Sequence, residues 1–214
     1  MLEFFLKIIV PLSVIGPILV WIFNRHGLSK ASKVLFYYLL LAGFGDIYSS
    51  TTSFLGINNL LGLHVYTLGE FLLLSWYFTT LLARNPIIGT IKIMAIIFAL
   101  LCVINFAFFQ GVYQFNTYTR SLGAFLTIVY CFNYFNQESK VFQTMPWQKK
   151  GANWIVTGLL IYFSGAFFLF LFSNILSTKI KRETWVNLWY GHGFLVVLMY
   201  VLISIGFINE RRSR

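Results

Sequence analysis

The sequence predicts an all-α fold: a polytopic membrane protein in which seven transmembrane helices form one domain spanning residues 1–214. Three observations lead there. With 58% hydrophobic, 20% aromatic and 10% charged residues and a mean hydropathy of +0.77, the chain has too few polar side chains to coat a globular surface. Its apolar residues fall into seven runs, and a spanning helix needs about 20 residues, so the 214 residues leave no room for a soluble domain. The basic residues divide unequally between the two sides that seven alternating spans define.

The first helix is expected at about 4–24. The opening "MLEFFLKIIVPLSVIGPILVWIFNRHG" carries an early lysine, as a signal peptide would, but its apolar run of about 20 residues ends without a small-residue cleavage pattern. The second helix, about 34–56, lies between the breaks "NRHGLSKASK" and "GINN". The third, about 60–82, ends at "ARNP", and the fourth, about 87–109, at "FQGVYQFN". The fifth, about 117–136, is followed by "NQESKVFQTMPWQKKG", the one connection long enough for a small interfacial segment, around Met145-Pro146. The sixth, about 153–176, and the seventh, about 185–208, are separated by "STKIKRET". Each break supplies the Gly, Pro, Asn, Ser or charge that ends a span.

Arg25, Lys30, Lys33, Arg84, Lys92, Lys140, Lys149, Lys150, Arg211, Arg212 and Arg214 fall on one side, and Lys7, Arg120, Lys179, Lys181 and Arg182 on the other. The positive-inside rule then places the amino terminus outside and the carboxy terminus in the cytoplasm, as expected in a bacterial inner membrane. The net charge of +10 sits in short connections rather than on a continuous basic face. It therefore points to anionic headgroups and away from nucleic acid. Cys102 and Cys131 lie within apolar runs and read as small core residues. No lysine falls between Trp185 and Asn209, so a retinal Schiff base on the last helix is not expected.

Polar residues inside the spans carry the functional signal. Asp46, the sole aspartate, falls near the middle of the second helix, where an Asp costs about 2.5–3.5 kcal/mol on insertion scales and is expected to face the interior or water and to have a partner. Ser49, Ser50 and Ser53 continue a polar stripe from it at helical spacing, and Gly43 and Gly45 permit close approach. On the third helix His64, Thr67 and Glu70 cover an arc of about 120° at about 100° per residue. Arg120, on the fifth, is followed by Thr127, Tyr130 and Tyr134 and is the candidate counter-ion for Glu70 or Asp46. Asn105, Ser173, Asn174, Asn187 and His192 fall at similar depth. A polar pocket in the outer half is expected, with Tyr48, Tyr66, Trp185, Trp189 and Tyr190 as its walls or as an interfacial belt.

Three chemistries fit these residues. In intramembrane hydrolysis, Asp46 or Glu70 would activate water. The segment "GFGDIYSSTTSFLGINNLLGLHVYT" resembles the early signature of the lysoplasmalogenase family, membrane enzymes that cleave the vinyl ether of lysoplasmalogens. The resemblance implies functional roles for Gly45, Asp46, His64 and Tyr66. "YFSGAFFLFLFSNILS" is similar to a later family segment, with Ser173 and Asn174 in the matching places, although the family has an acid where this chain has Asn174 and usually about eight spans. A zinc-dependent lipid amidase-like hydrolase resembling the ceramidase and progestin-receptor-like superfamily would have only His64 and His192 in spans and would need Asp46 or Glu70 to complete a site. No metal site and no cofactor are therefore assigned.

The leading expectation is binding without turnover. A sensor, carrier or accessory module would take a membrane lipid or small amphiphilic molecule on His64, Tyr66, Arg120, Asn174, His192, Ser49 and Ser50. Any signalling output would fall to a protein partner or a second copy.

Overall fold

The computed structural model describes residues 4–83, 85–111, 113–140 and 146–212, and within these the protein is all-α. Its helices are α1 (Phe5–Gly27), α2 (Lys30–Phe54), α3 (Leu60–Leu81), α4 (Ile88–Phe109), α5 (Thr117–Lys140), α6 (Gly151–Lys179) and α7 (Arg182–Arg212). Four, at Phe5–Gly27, Ile88–Phe109, Gly151–Lys179 and Arg182–Glu210, are long and apolar enough to cross a membrane. The more polar α2, α3 and α5 carry Asp46, Glu70 and Arg120.

Local chemistry sets the boundaries. α1 opens with a π-helical turn over Phe5–Ile9 and is interrupted at Val14, where Pro17 has no N–H for the carbonyl four residues earlier. Ser29 caps α2: its Oγ accepts from the Ser32 N–H at 3.1 Å. Glu210 of α7 locks this cap from across the bundle, accepting from the Ser29 N–H at 2.7 Å and from the Ser32 hydroxyl. α2 ends in a Schellman motif, with Gly56 at φ 65°, its N–H donating to Ser53 O and the Ile57 N–H to Thr52 O. Polar turns such as Lys30–Lys33 and Gln137–Lys140 extend helices beyond the apolar runs, so α2, α5, α6 and α7 overshoot their sequence-predicted limits. The long connection holds a short 3₁₀ turn, Trp147–Lys149, and the Lys150–Glu138 ion pair spans its ends. Met145, Arg84 and Arg214, and the side chains of Arg211 and Arg212, lie outside the described residues.

The packing order is a ring. α1 packs on α2, α2 on α3, α3 on α5, α5 on α6, α6 on α7, and α7 returns to α1. α4 lies outside the ring against α3 and α5 and buries a single stripe, Ile91, Phe98 and Asn105, at seven-residue spacing. Two close seams hold the rest. On α6, Gly151, Gly158 and Gly165 recur every seven residues and pack against Gly206, Met199 with Leu202, and Leu195 of the antiparallel α7. Such small-residue seams bring backbones together where burial from lipid supplies no hydrophobic gain. Between α2 and α3 the packing is reciprocal: the Tyr66 ring lies on Gly45 and the Tyr48 ring on Gly62. Cys102 and Cys131 are free thiols, half-buried and buried.

Candidate functional site

The site is built at the end of the bundle where α3, α5 and α7 begin and α6 ends. The inward arc of α3 buries His64, Thr67 and Glu70. Opposite, in the first turn of α5, Arg120 places Nη1 3.3 Å from Glu70 Oε2, with side-chain exposures of 11% and 6%. The same Nη1 donates to Thr67 Oγ1 at 3.2 Å, and the Tyr66 hydroxyl donates to Glu70 Oε1 at 3.0 Å. Arg120 is further sandwiched by the rings of Phe170, 4.3 Å from its guanidinium carbon, and Tyr66, at 5.4 Å. Two buried charges thus satisfy each other and are hydrogen-bonded as well, the condition under which a desolvated pair is tolerated.

Asn116, immediately before α5, extends the network. Its Nδ2 donates to Thr67 Oγ1 at 2.8 Å and to Leu63 O at 3.4 Å. Its Oδ1 is buried and has no hydrogen-bond partner among the described residues. Next to it, Phe115 is held by Asn174: the Phe115 N–H donates to Asn174 Oδ1 at 3.1 Å, and Asn174 Nδ2 returns a hydrogen bond to Phe115 O at 2.9 Å. Thr117 Oγ1 accepts from Gln110 Nε2 at 2.7 Å. Between these groups lies a cavity of about 80 Å³ lined by Leu63, Phe115, Asn116, Thr117, Arg120, Phe170, Ser173 and Trp189. Leu63, Phe115 and Trp189 are partly exposed and form its rim. A smaller void of about 10 Å³ adjoins Thr67, Glu70 and Thr127, enough for about one water.

The sequence-predicted residues are distributed unevenly around this cavity. Glu70, Tyr66 and Arg120 meet in one network, and of the two carboxylates proposed for Arg120 it pairs with Glu70. Asp46 is half-buried and makes no hydrogen bond or ion pair among the described residues. The partner expected for it is therefore not found there. Ser49, Ser50 and Ser53 lie on the exposed face of α2, with Ser49 bonded to Asn59, because α2 turns its Ala31, Leu35, Tyr38 and Ala42 side to the core. They do not reach the cavity.

His64 is buried edge-on against Phe106 at 5.3 Å, away from the cavity. His192 pairs with the Tyr162 hydroxyl at 3.2 Å and packs against Phe170 and Trp189, behind the lining. Asn174 does not line the cavity; it acts on it through the Phe115 backbone it grips and through Thr117 Oγ1, to which its Nδ2 donates at 3.5 Å. Among the described residues no three His, Cys, Asp or Glu side chains converge as a metal-binding group, so the histidines considered for zinc lack a complete donor set.

Asn116, Thr117, Phe115, Phe170 and Leu63 are the lining residues that sequence reasoning missed. The first three sit in a break, "FQGVYQFN" and its following threonine, where helical periodicity carries no information. Phe170 is one of several aromatics in "GAFFLFLF". The available signal was the spacing of Asn116 four residues ahead of Arg120, which places both on one side of the chain entering α5. Comparison with protein families, curated proteins and solved structures finds no match. The site's own chemistry therefore carries the functional assignment.

Proposed function

We propose that this chain is a seven-span integral membrane protein, amino terminus outside and carboxy terminus in the cytoplasm, that holds the polar end of a membrane amphiphile in its outer half. The observation that carries this is the cavity itself. It combines Arg120, Asn116, Thr117 and Ser173 with Phe115, Phe170 and Trp189, polar groups set deep and aromatic groups around them, as in sites that orient an amphiphile. Its about 80 Å³ is small beside the roughly 300–1,000 Å³ of drug-sized ligand sites, so the head enters and the tail stays at the rim. Binding is favoured over hydrolysis of the lysoplasmalogenase type: Glu70 is tied to Arg120 and Tyr66, and the position where that family has its second acid is an amide engaged with a peptide.

The test is native mass spectrometry of the protein released from membranes. Ser173→Leu fills the cavity, and Ser53→Leu is a control on the exposed face. Wild type and the control are expected to retain a bound lipid-sized mass, and Ser173→Leu to lose it. Equal retention in all three would refute the assignment.

A further inference from the structure

We infer that the group accommodated in the cavity is a neutral, hydroxyl-bearing head of the glycerol or sugar type and not an anion; this rests on the amphiphile assignment above. The charge balance comes first. Among the described residues Arg120 is the one cationic lining residue, and Glu70 already neutralises it at 3.3 Å, so a phosphate or carboxylate would bring an uncompensated charge into a desolvated site.

The hydrogen-bond inventory points the same way. Asn116 is 1% exposed, lines the cavity, and its acceptor Oδ1 has no partner among the described residues. A buried acceptor calls for a donor, and a carboxylate or fully ionised phosphate offers none. Ser173 has committed its hydroxyl hydrogen to Leu169 O at 2.6 Å and so presents lone pairs. Thr117 Oγ1 accepts from Gln110, which leaves its hydrogen to donate. The lining thus offers acceptors on Asn116 and Ser173 and a donor on Thr117, beside the guanidinium of Arg120. Hydroxyl groups both donate and accept, so a polyol satisfies the whole set at once. Phe115, Phe170 and Trp189 supply apolar faces for its C–H groups. At about 10–15 Å³ of cavity space per water, the cavity of about 80 Å³ holds several waters and suits a head of a few heavy atoms.

The experiment uses the full chain in phosphatidylcholine nanodiscs, titrated with monooleoylglycerol, with oleoyl lysophosphatidic acid and with free glycerol, and read by Trp fluorescence and native mass spectrometry. Monooleoylglycerol is expected to bind at least tenfold more tightly than lysophosphatidic acid, with free glycerol far weaker. Asn116→Leu should remove that preference. Because Asn116 also donates to Thr67, Ser173→Ala serves as the second variant and should weaken monooleoylglycerol about fivefold while leaving the thermal midpoint in place. Tighter binding of lysophosphatidic acid would overturn the neutral-head inference and leave the amphiphile assignment standing. Free glycerol binding as well as its acyl ester would keep the head chemistry and overturn the amphiphile assignment. Binding of none of the three would overturn both.

Discussion

Glu70 Oε2 and Arg120 Nη1 lie 3.3 Å apart in the interior of the ring, joining α3 to α5 through two side chains that are almost fully buried. Removing one partner of such a pair leaves a buried charge without compensation and costs about 3–5 kcal/mol. Glu70→Gln and Arg120→Met are each expected to lower the thermal midpoint sharply in nanodiscs. The double variant should recover a large part of the loss. Additive losses would mean that the two residues act separately.

The α2/α3 clasp predicts an order of severity at two glycines. A Cβ at Gly62 would stand 2.1 Å from the Tyr48 ring, whereas one at Gly45 would stand 3.0 Å from Tyr66. Overpacking of this kind costs about 1–3 kcal/mol, so Gly62→Ala should be destabilised more than Gly45→Ala. Tyr48→Ala combined with Gly62→Ala should relieve the clash, and thermal melts of the four proteins check the order.

Asn174 grips the Phe115 peptide with both amide atoms, which a carboxylate cannot do because it has no donor for Phe115 O. Asn174→Asp is expected to cost about 1–3 kcal/mol and to speed hydrogen exchange in residues 113–117. If it instead conferred release of aldehyde from a lysoplasmalogen, a hydrolytic role would replace the binding one.

Orientation is tested by single cysteines in a background lacking Cys102 and Cys131. Cysteines replacing the exposed Tyr113 and Thr178 are expected to react with an impermeant maleimide from outside intact cells, and those replacing the exposed Lys33 and Gln148 only after permeabilisation. The opposite pattern would invert the topology.

Much of the helical frame was legible in the sequence, because apolar runs of spanning length punctuated by Gly, Pro and charge admit few alternatives. Helical spacing places Thr67 with Glu70, and Thr127 with Tyr130 and Tyr134, on common faces, and the structure buries both faces. Spacing on one helix cannot say which side of that helix meets the others, and so Ser49, Ser50 and Ser53, expected at the pocket beside Asp46, lie instead on the exposed face of α2 while Asp46 is half-buried. Nor could it separate Asp46 from Glu70 as the partner of Arg120, since that choice depends on which helices adjoin. The lining stretch from Phe115 to Thr117 lies where the connection enters α5, and it is held by a contact with Asn174 that is 59 residues distant. No local pattern encodes such a contact.

The most direct test of the central claim is photolabelling with a monoacylglycerol carrying a diazirine next to its head, followed by peptide mapping. Adducts on Phe115, Phe170 or Trp189, lost in Ser173→Leu, are the predicted result. Adducts confined to exposed outer-face residues such as Ile96 and Phe168, and unchanged in that variant, would contradict a head-binding pocket within the bundle.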